Sequence, residues 1–177
     1  MVQGDAFKDE DVSTATHWFA GQFNLHGFYH LWSFFDGGDS DTGEMRTGNF
    51  VLEGDGQIKF LISGGRDLTN LYLTLVDANT DTELLWATGA DRETYEEKVM
   101  DASAYIGQSV YLKLVDNSTG GWGHINLDYV RVPVADNLSG QFPSAGPGNP
   151  PTSISLNGGA QSLTTGESLN LTATVSP

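Results

Sequence analysis

Short β-rich runs separated by turn signals dominate residues 49 to 132. Glycine- and Asx-rich turns punctuate them, and the best helix signal, at 101–107, amounts to one or two turns. Short strands at near-regular spacing predict an all-β fold, an antiparallel β-sandwich or jelly roll. The seven predicted strands are Asn49–Glu53, Gln57–Ser63, Asn70–Asp77, Glu83–Thr88, Thr94–Val99, Ser109–Asp116 and His124–Val132.

The composition changes abruptly near Pro133. All six prolines lie at 133 or beyond, and no Lys or Arg follows Arg131. We therefore predict a β-sandwich module over 1–134 and a Pro/Gly/Ser-rich linker over 135–152. Residues 153–177 contain two runs that alternate polar and apolar side chains, 153–156 and 168–175. This segment resembles the first strands of a bacterial immunoglobulin-like repeat, here truncated.

The charge balance excludes several classes of partner. The chain has 177 residues, with 8 Lys and Arg against 23 Asp and Glu, for a formal net charge of -15. Nucleic-acid and anionic-membrane partners are therefore not expected, because binding to them depends on Lys and Arg. The absence of cysteine excludes a disulfide scaffold, a thiolate zinc site and a cysteine nucleophile. No apolar run approaches the roughly 20 residues that cross a bilayer, and any export signal is expected outside this chain.

The most specific motif is Asp-Asn-Ser-Thr-Gly-Gly-Trp-Gly-His-Ile at 116–125. With the motifs at 4–7, 64–67 and 101–108, it resembles carbohydrate-binding module family 66 over roughly residues 2 to 134. These modules accompany levanases and related fructan hydrolases of glycoside hydrolase family 32. The resemblance implies a galactose-binding-like jelly roll that holds the terminal fructosyl unit of a fructan. It also implies an extracellular or bacterial cell-surface location and a monomeric module within a larger multimodular chain.

A sugar site needs an aromatic platform for the apolar C–H face of the ring. Trp122 lies among three glycines, a setting that can place an indole at a loop tip. Alternatively, Trp122 covers the end of the sandwich core. Tyr29, in the aromatic run at 28–35, is a second candidate platform. His124 is interpreted as a hydrogen-bonding side chain of the site or the core, not as an acid or base.

The site also needs polar partners for hydroxyl groups. Arg66 and Asp67 follow the turn Gly64-Gly65 and suit this role, unless they form only a local surface ion pair. Strand periodicity puts Glu44 and Arg46 on one face, either as a polyol clamp or as an exposed pair. Asn117 is the fifth candidate, and all five are predicted to converge on an end-on pocket.

No cofactor is required by these motifs, but a structural Ca²⁺ is a candidate. Asp128 lies inside the last apolar strand, where related jelly-roll modules often hold Ca²⁺ with an acid and N-terminal carbonyls; the alternative is an outward-facing carboxylate. The acidic loops at 9–11 and 36–41 lack the spacing of a defined calcium loop, which favours solvated turns.

Catalysis is not expected from this chain. The four histidines lack metal-ligand spacing, and no Gly-x-Ser-x-Gly elbow or phosphate loop occurs. With 23 acidic residues, a hydrolytic carboxylate pair is easy to nominate and not specific. Two alternatives to fructan binding stay open: a structural or adhesive domain of a multimodular surface protein, and the same fold bound to a different glycan.

Overall fold

The computed structural model describes residues 1–8, 11–19, 21–35 and 37–134, together with the backbone of 153–156 and 173–176. The chain divides into two compact units, Met1–Phe142 and Pro143–Pro177. The predicted linker at 135–152 lies outside the described residues. Within the described part, no helix is long and apolar enough to cross a membrane.

The first unit is an antiparallel β-sandwich, and one of its sheets has six strands. Strand β12 is central, since it pairs with β6, β7 and β9. The order along the sheet is β1-β6-β12-β9-β10, with β7 beside β12. The strands are β1 (Val2–Gly4), β6 (Gly43–Arg46), β7 (Phe50–Val51), β9 (Leu71–Asp77), β10 (Glu83–Ala87) and β12 (Ser109–Asp116).

The second sheet has five antiparallel strands in the order β11-β8-β13-β5-β2. Its edge strand β11 pairs with β8, and β13 lies between β8 and β5. The strands are β2 (Val12–Ser13), β5 (His30–Trp32), β8 (Gln57–Gly64), β11 (Arg92–Asp101) and β13 (Ile125–Arg131). A separate short hairpin joins β3 (His17–Trp18) to β4 (Gly21–Gln22).

The main core lies between the two sheets. Alternate residues of the long strands point inward, as the period of two requires. The largest inward side chains are fully buried and form one contiguous apolar cluster. They include Phe50, Leu52, Ile58, Phe60, Ile62, Leu71, Leu73, Leu75, Leu112, Leu114 and Ile125.

A second, aromatic cluster covers the outer face of the five-stranded sheet. It consists of buried Phe23, Trp32 and Tyr95, with Phe34 packed against them. The chain at 22–23 is attached to β11, because Tyr95 N donates to the Phe23 carbonyl at 2.8 Å. The β3–β4 hairpin thus lies against β11 and places aromatic side chains beside one end of the sandwich.

The all-β sandwich predicted from the sequence is confirmed. Six of the predicted strands correspond to β8–β13, and the seventh shortens to β7. The helix signal at 101–107 becomes a single 3₁₀ turn, Ser103–Tyr105, followed by Gly107 at φ +84°. In the aromatic run at 28–35, only His30–Trp32 forms a strand.

In the second unit, the described backbone forms one antiparallel pair. Strand β14 (Ser153–Leu156) has the predicted bounds, and β15 (Ala173–Ser176) covers the end of the predicted second run. Ser153 pairs with Ser176, and Leu156 with Ala173. The likeness to an immunoglobulin-like repeat stays a prediction.

Candidate functional site

The loop between β12 and β13 presents Trp122 at the surface. The backbone of Trp122 is left-handed, with φ +60°, and its side chain is 41% exposed. Left-handed backbone costs an L-residue about 1–2 kcal/mol, so the surrounding structure must impose it. Gly123 contributes by donating its N–H to the Gly120 carbonyl at 2.8 Å.

The motif Gly64-Gly65 supports the same loop from behind. The Gly65 N–H donates to the His124 carbonyl at 2.8 Å. A Cβ atom at position 65 would overlap the carbonyl oxygen of Trp122. Glycine is therefore required at 65 for β8 to end against the Trp122 loop.

The β3–β4 hairpin supplies more aromatic rings at this end. Phe19 is also left-handed, with φ +48°, and is 87% exposed. The Trp18 ring packs edge-on against Phe19 at 4.8 Å and against Trp32 at 5.3 Å between centroids. Phe34 lies 5.6 Å from Trp18 and 5.0 Å from the His124 ring. The exposed rings thus rest on the buried aromatic cluster.

These elements form a groove of about 560 Å³, which we call the Trp122 groove. It combines aromatic rings with acidic side chains and one arginine. The aromatic side chains of such a groove can stack on the apolar face of a sugar ring, while its carboxylates accept hydrogen bonds from the hydroxyl groups. Its lining includes Trp18, Phe19, Phe34, Asp39, Asp91, Arg92, Glu93, Thr94, Trp122 and His124.

His124 joins three segments beneath the groove. Its Nδ1 lies 2.6 Å from Asp39 Oδ1, and its Nε2 lies 3.1 Å from Glu93 Oε1. Burial alone would lower the pKa of His124, but hydrogen bonds to Glu93 and Asp39 outweigh it and raise that pKa. Both ring nitrogens can donate to carboxylates only in the doubly protonated form. In that form, His124 is a clasp that binds two acids.

Two further buried polar groups lie near His124. Asn126 Nδ2 donates to Glu93 Oε2 at 2.9 Å, so both oxygens of Glu93 are occupied. Asp116 is 1% exposed, and its Oδ2 lies 3.0 Å from the Ser33 hydroxyl. Burial raises the pKa of Asp116 to about 7. The Asp116 carboxyl group is thus partly protonated near neutral pH.

The structure brings only two of the predicted site residues, Trp122 and His124, into this groove. Glu44 and Asn117 line a separate pocket beside Tyr72, and Arg66 lines a third one. Tyr29 is largely exposed and belongs to none of these three. A single end-on pocket built from all the predicted residues is not what the fold produces.

Two of the predicted polar residues, Asp67 and Arg46, already interact with other side chains or backbone groups of the protein. The Asp67 carboxylate accepts from Thr69 N at 2.8 Å and from Asn70 Nδ2 at 2.8 Å, which fixes its own turn. These bonds hold the pKa of Asp67 below its usual value. The Arg46 guanidinium lies 3.9 Å over the Tyr111 ring. Within the described residues, no ion pair joins Arg66 to Asp67 or Glu44 to Arg46.

The calcium prediction at Asp128 has no direct support from its surroundings. Asp128 Oδ2 accepts the backbone N–H of His26 at 2.6 Å. Across residues 1–134, apart from the four positions not described, no group of three or more His, Asp or Glu could hold a metal ion. Calcium binding stays a prediction.

Several groove residues were not singled out from the sequence, among them Trp18, Phe19, Asp91, Arg92 and Glu93. The turn signal at Gly21 marks the hairpin that carries Trp18 and Phe19, and it was the only available indication. Nothing in the β11 sequence distinguishes Glu93 from the other acids around it. Its role follows from its hydrogen bonds to His124 and Asn126, which are distant in sequence.

The fold and groove together define a β-sandwich protein with an aromatic, acid-lined groove at one end. No family model matches the chain. Over 114 residues, 63% of this chain, it is 32% identical to ecdE of Aspergillus rugulosus, a protein named as a glycosyl hydrolase. The matched part spans 16% of that protein's length. The structure of a family 35 carbohydrate-binding module from Paenibacillus barcinonensis aligns with 76% of this chain and 99% of its own, at 18% identity and a TM-score of 0.39.

Proposed function

We propose that this chain is a non-catalytic carbohydrate-binding module whose ligand lies in the Trp122 groove. The observation that carries the proposal is the pair of exposed aromatic residues, Trp122 and Phe19, that line one groove with left-handed backbones. Bulky residues adopt this conformation at a cost, and such strain clusters at ligand sites. A sugar would stack its C–H face on the indole of Trp122, while the carboxylates of Asp39 and Asp91 accept hydrogen bonds from its hydroxyl groups.

The state of the acids in the groove argues against hydrolysis. Glycoside hydrolysis needs one protonated and one ionised carboxyl group on either side of the scissile bond. Both oxygens of Glu93 are bonded, to His124 and to Asn126, and Asp39 Oδ1 is bonded to His124, so both carboxyl groups are held by the clasp. Asp116 has the raised pKa of a general acid but is buried away from the groove surface.

The ligand we propose is the terminal fructosyl unit of a fructan such as levan or inulin. The motif at 116–125, which resembles family 66 modules, supports this choice because Trp122 and His124 belong to it. The hydrolase name of the fungal relative agrees with a role beside a catalytic domain. On this proposal the chain is a monomeric module of a secreted glycoside hydrolase, and the parent enzyme belongs to glycoside hydrolase family 32.

Binding of one sugar unit should be weak, because a single exposed indole supplies limited contact area. The benefit to the parent enzyme comes from tethering, which raises the effective concentration of substrate ends near the catalytic domain. Millimolar affinity for a monosaccharide is compatible with this role.

Calorimetric titration with levan, inulin and fructose tests the proposal. We expect heat of binding with fructans for the wild-type chain and its loss in Trp122→Ala. Trp86→Ala is the matched control, because Trp86 is an exposed indole outside the groove. Absence of binding to all three ligands would refute fructan specificity. Binding of another polysaccharide on a glycan array would then leave a different glycan, and no binding there would favour the structural or adhesive alternative.

A further inference from the structure

A second groove adjoins the Trp122 groove at the β3–β4 hairpin. We call it the Phe35 groove, and its volume is about 480 Å³. The Trp122 groove reaches the hairpin at Gly21 of β4, whereas the Phe35 groove reaches it at Ala15 and at His17 of β3. The tip of the hairpin borders both grooves, and a ligand chain can pass from one to the other there. The lining residues that the two grooves share are Trp18, Phe19 and Phe34.

A continuous row of ring contacts runs from Trp122 to Phe35. Between centroids, the Trp122 ring lies 5.7 Å from the His124 ring, and His124 lies 5.0 Å from Phe34. Phe34 lies 6.0 Å from Trp32, and Trp32 lies 5.5 Å from Phe35. The two ends of the row are exposed, Trp122 by 41% and Phe35 by 52%, whereas Trp32 and His124 are buried. The two exposed rings are therefore held in a fixed relation by rings beneath the surface.

The Phe35 groove differs from the Trp122 groove in its chemistry. The described residues that line it include no Asp, Glu, Lys or Arg, whereas the Trp122 groove has three acids and an arginine. A surface of this kind stacks on the apolar face of a ring without reading the pattern of its hydroxyl groups. An exposed apolar surface that continues a polar groove is typical of an extended binding site.

The continuity of the two grooves indicates what covers the second one. A glycan chain whose terminal unit lies against Trp122 must leave that groove along the protein surface. The hairpin tip that the grooves share gives the chain a path lined by aromatic rings, since Phe19 is 87% exposed there. The carboxylates of the Trp122 groove would select the terminal unit, and the rings beyond the tip would hold the units that follow.

We infer that the Phe35 groove is a second subsite, which holds the sugar units that follow the terminal unit of a fructan chain. The inference rests on the proposed binding of the terminal unit in the Trp122 groove. Phe35 stacks on the apolar face of a following unit, and Phe19 and Trp18 lie along the path between the subsites. Phe35 does not line the Trp122 groove, so a single sugar bound there leaves Phe35 uncovered. The two grooves together therefore distinguish a fructan chain from free fructose by its length.

The experiment titrates the full chain calorimetrically with fructose and with linear levan oligosaccharides of two to four units. Each linear oligosaccharide has one non-reducing end, so a gain in affinity with length measures contact with further units. We expect the wild type to bind the tetrasaccharide at least about tenfold more tightly than fructose. Phe35→Ala should lose this gain and keep the wild-type affinity for fructose. Phe28→Ala is the matched control, because Phe28 is 83% exposed and lines neither groove.

A second variant, Phe35→Leu, keeps a large apolar side chain against Trp32 and removes the planar ring. It should lose most of the gain with chain length while the fold is preserved. Equal affinity of the wild type for fructose and the tetrasaccharide would overturn the subsite and leave the proposed function standing. A gain that survives in both Phe35 variants, or that Phe28→Ala loses equally, would also overturn it. Absence of binding to every one of these sugars would refute the fructan proposal and the subsite with it.

Discussion

Nδ1 of His124 lies 2.6 Å from Oδ1 of Asp39, and this bond ties the Trp122 loop to the segment that precedes β6. On the other side of the ring, Nε2 bonds to Glu93 on β11. One imidazolium therefore holds three separate segments of chain together beneath the Trp122 groove. Its charge state should govern both the stability and the shape of this end of the sandwich.

We predict that the stability of the chain falls as the pH rises above about 6.5. The pKa of His124 is raised, so its contribution is complete below about 6.5 and is lost as the pH passes the folded-state value. The pKa of Asp116 is raised from 3.8 to about 7, so stability is also lost between these values. Thermal melts at several pH values measure the effect.

Asp116→Asn separates the two contributions. The amide oxygen can accept from Ser118 N, and the amide N–H can donate to the Ser33 hydroxyl, which itself donates to the Ile125 carbonyl. The amide does not ionise, so the loss between pH 4 and 7 should become smaller. Glu83, whose pKa is lowered, opposes this trend only in more acidic solution. His30 opposes it below about pH 6.5, because burial lowers its pKa. A melting temperature that stays constant from pH 6.5 to 8 in the wild type would contradict the prediction.

Removing the clasp should destabilise the fold and weaken ligand binding together. His124→Ala leaves Asp39 and Glu93 without their shared cation, at a cost of about 2–4 kcal/mol in the free energy of unfolding. His17→Ala is the control, because His17 is exposed on β3. Urea denaturation measures stability, and calorimetry with levan measures binding. Equal stability of the two variants would show that the clasp contributes little.

The Trp122 loop depends on glycine at 123 but not at 121. A Cβ atom at 123 would lie 2.5 Å from the backbone oxygen of Gly120 and 3.0 Å from the backbone oxygen of Asp39, whereas one at 121 would meet nothing within 4 Å. Gly123→Ala should cost about 1–3 kcal/mol by forcing the loop to shift. Gly121→Ala should change stability little. Urea denaturation of both variants measures the free energy of unfolding. A similar loss in the two variants would contradict the loop geometry.

Trp122→Gly should separate stability from binding. Glycine adopts the left-handed backbone without the penalty of an L-residue, so relief of strain should contribute about 1 kcal/mol relative to Trp122→Ala. Fructan binding should fall at least tenfold in both variants, because the indole is gone. The prediction fails if glycine is no more stable than alanine at this position, or if either variant binds like the wild type.

The long strands could be predicted because each carries its own period of two and is bounded by turn residues. The two-residue strands β2, β3 and β4 carry no such period, so the segment that covers the outer face of the five-stranded sheet was not predicted. Phe23 and Tyr95 meet there only because the chain at 22–23 is bonded to β11.

The residues of the candidate site differ in the same way: those in a local motif could be predicted, and those that the fold brings together could not. Trp122 and His124 could be nominated because their glycine-rich loop is a local feature. Their partners Asp39, Glu93 and Trp18 come from three other segments, and no spacing in the sequence indicates that they meet. Proximity in sequence was also a poor guide. Asp67 adjoins Arg66, but its carboxylate accepts a hydrogen bond from Thr69 N within its own turn.

The indole N–H resonances of the four tryptophans will show whether a neutral sugar binds beside Trp122. Each gives one indole N–H resonance in a ¹⁵N spectrum, and Trp86 lies on a different surface from Trp18 and Trp122. Titration with levan oligosaccharides should shift the indole resonances of Trp122 and Trp18 and leave Trp86 in place. A shift of Trp86 alone, or no shift of any indole at saturating sugar, would show that the sugar does not bind beside Trp122.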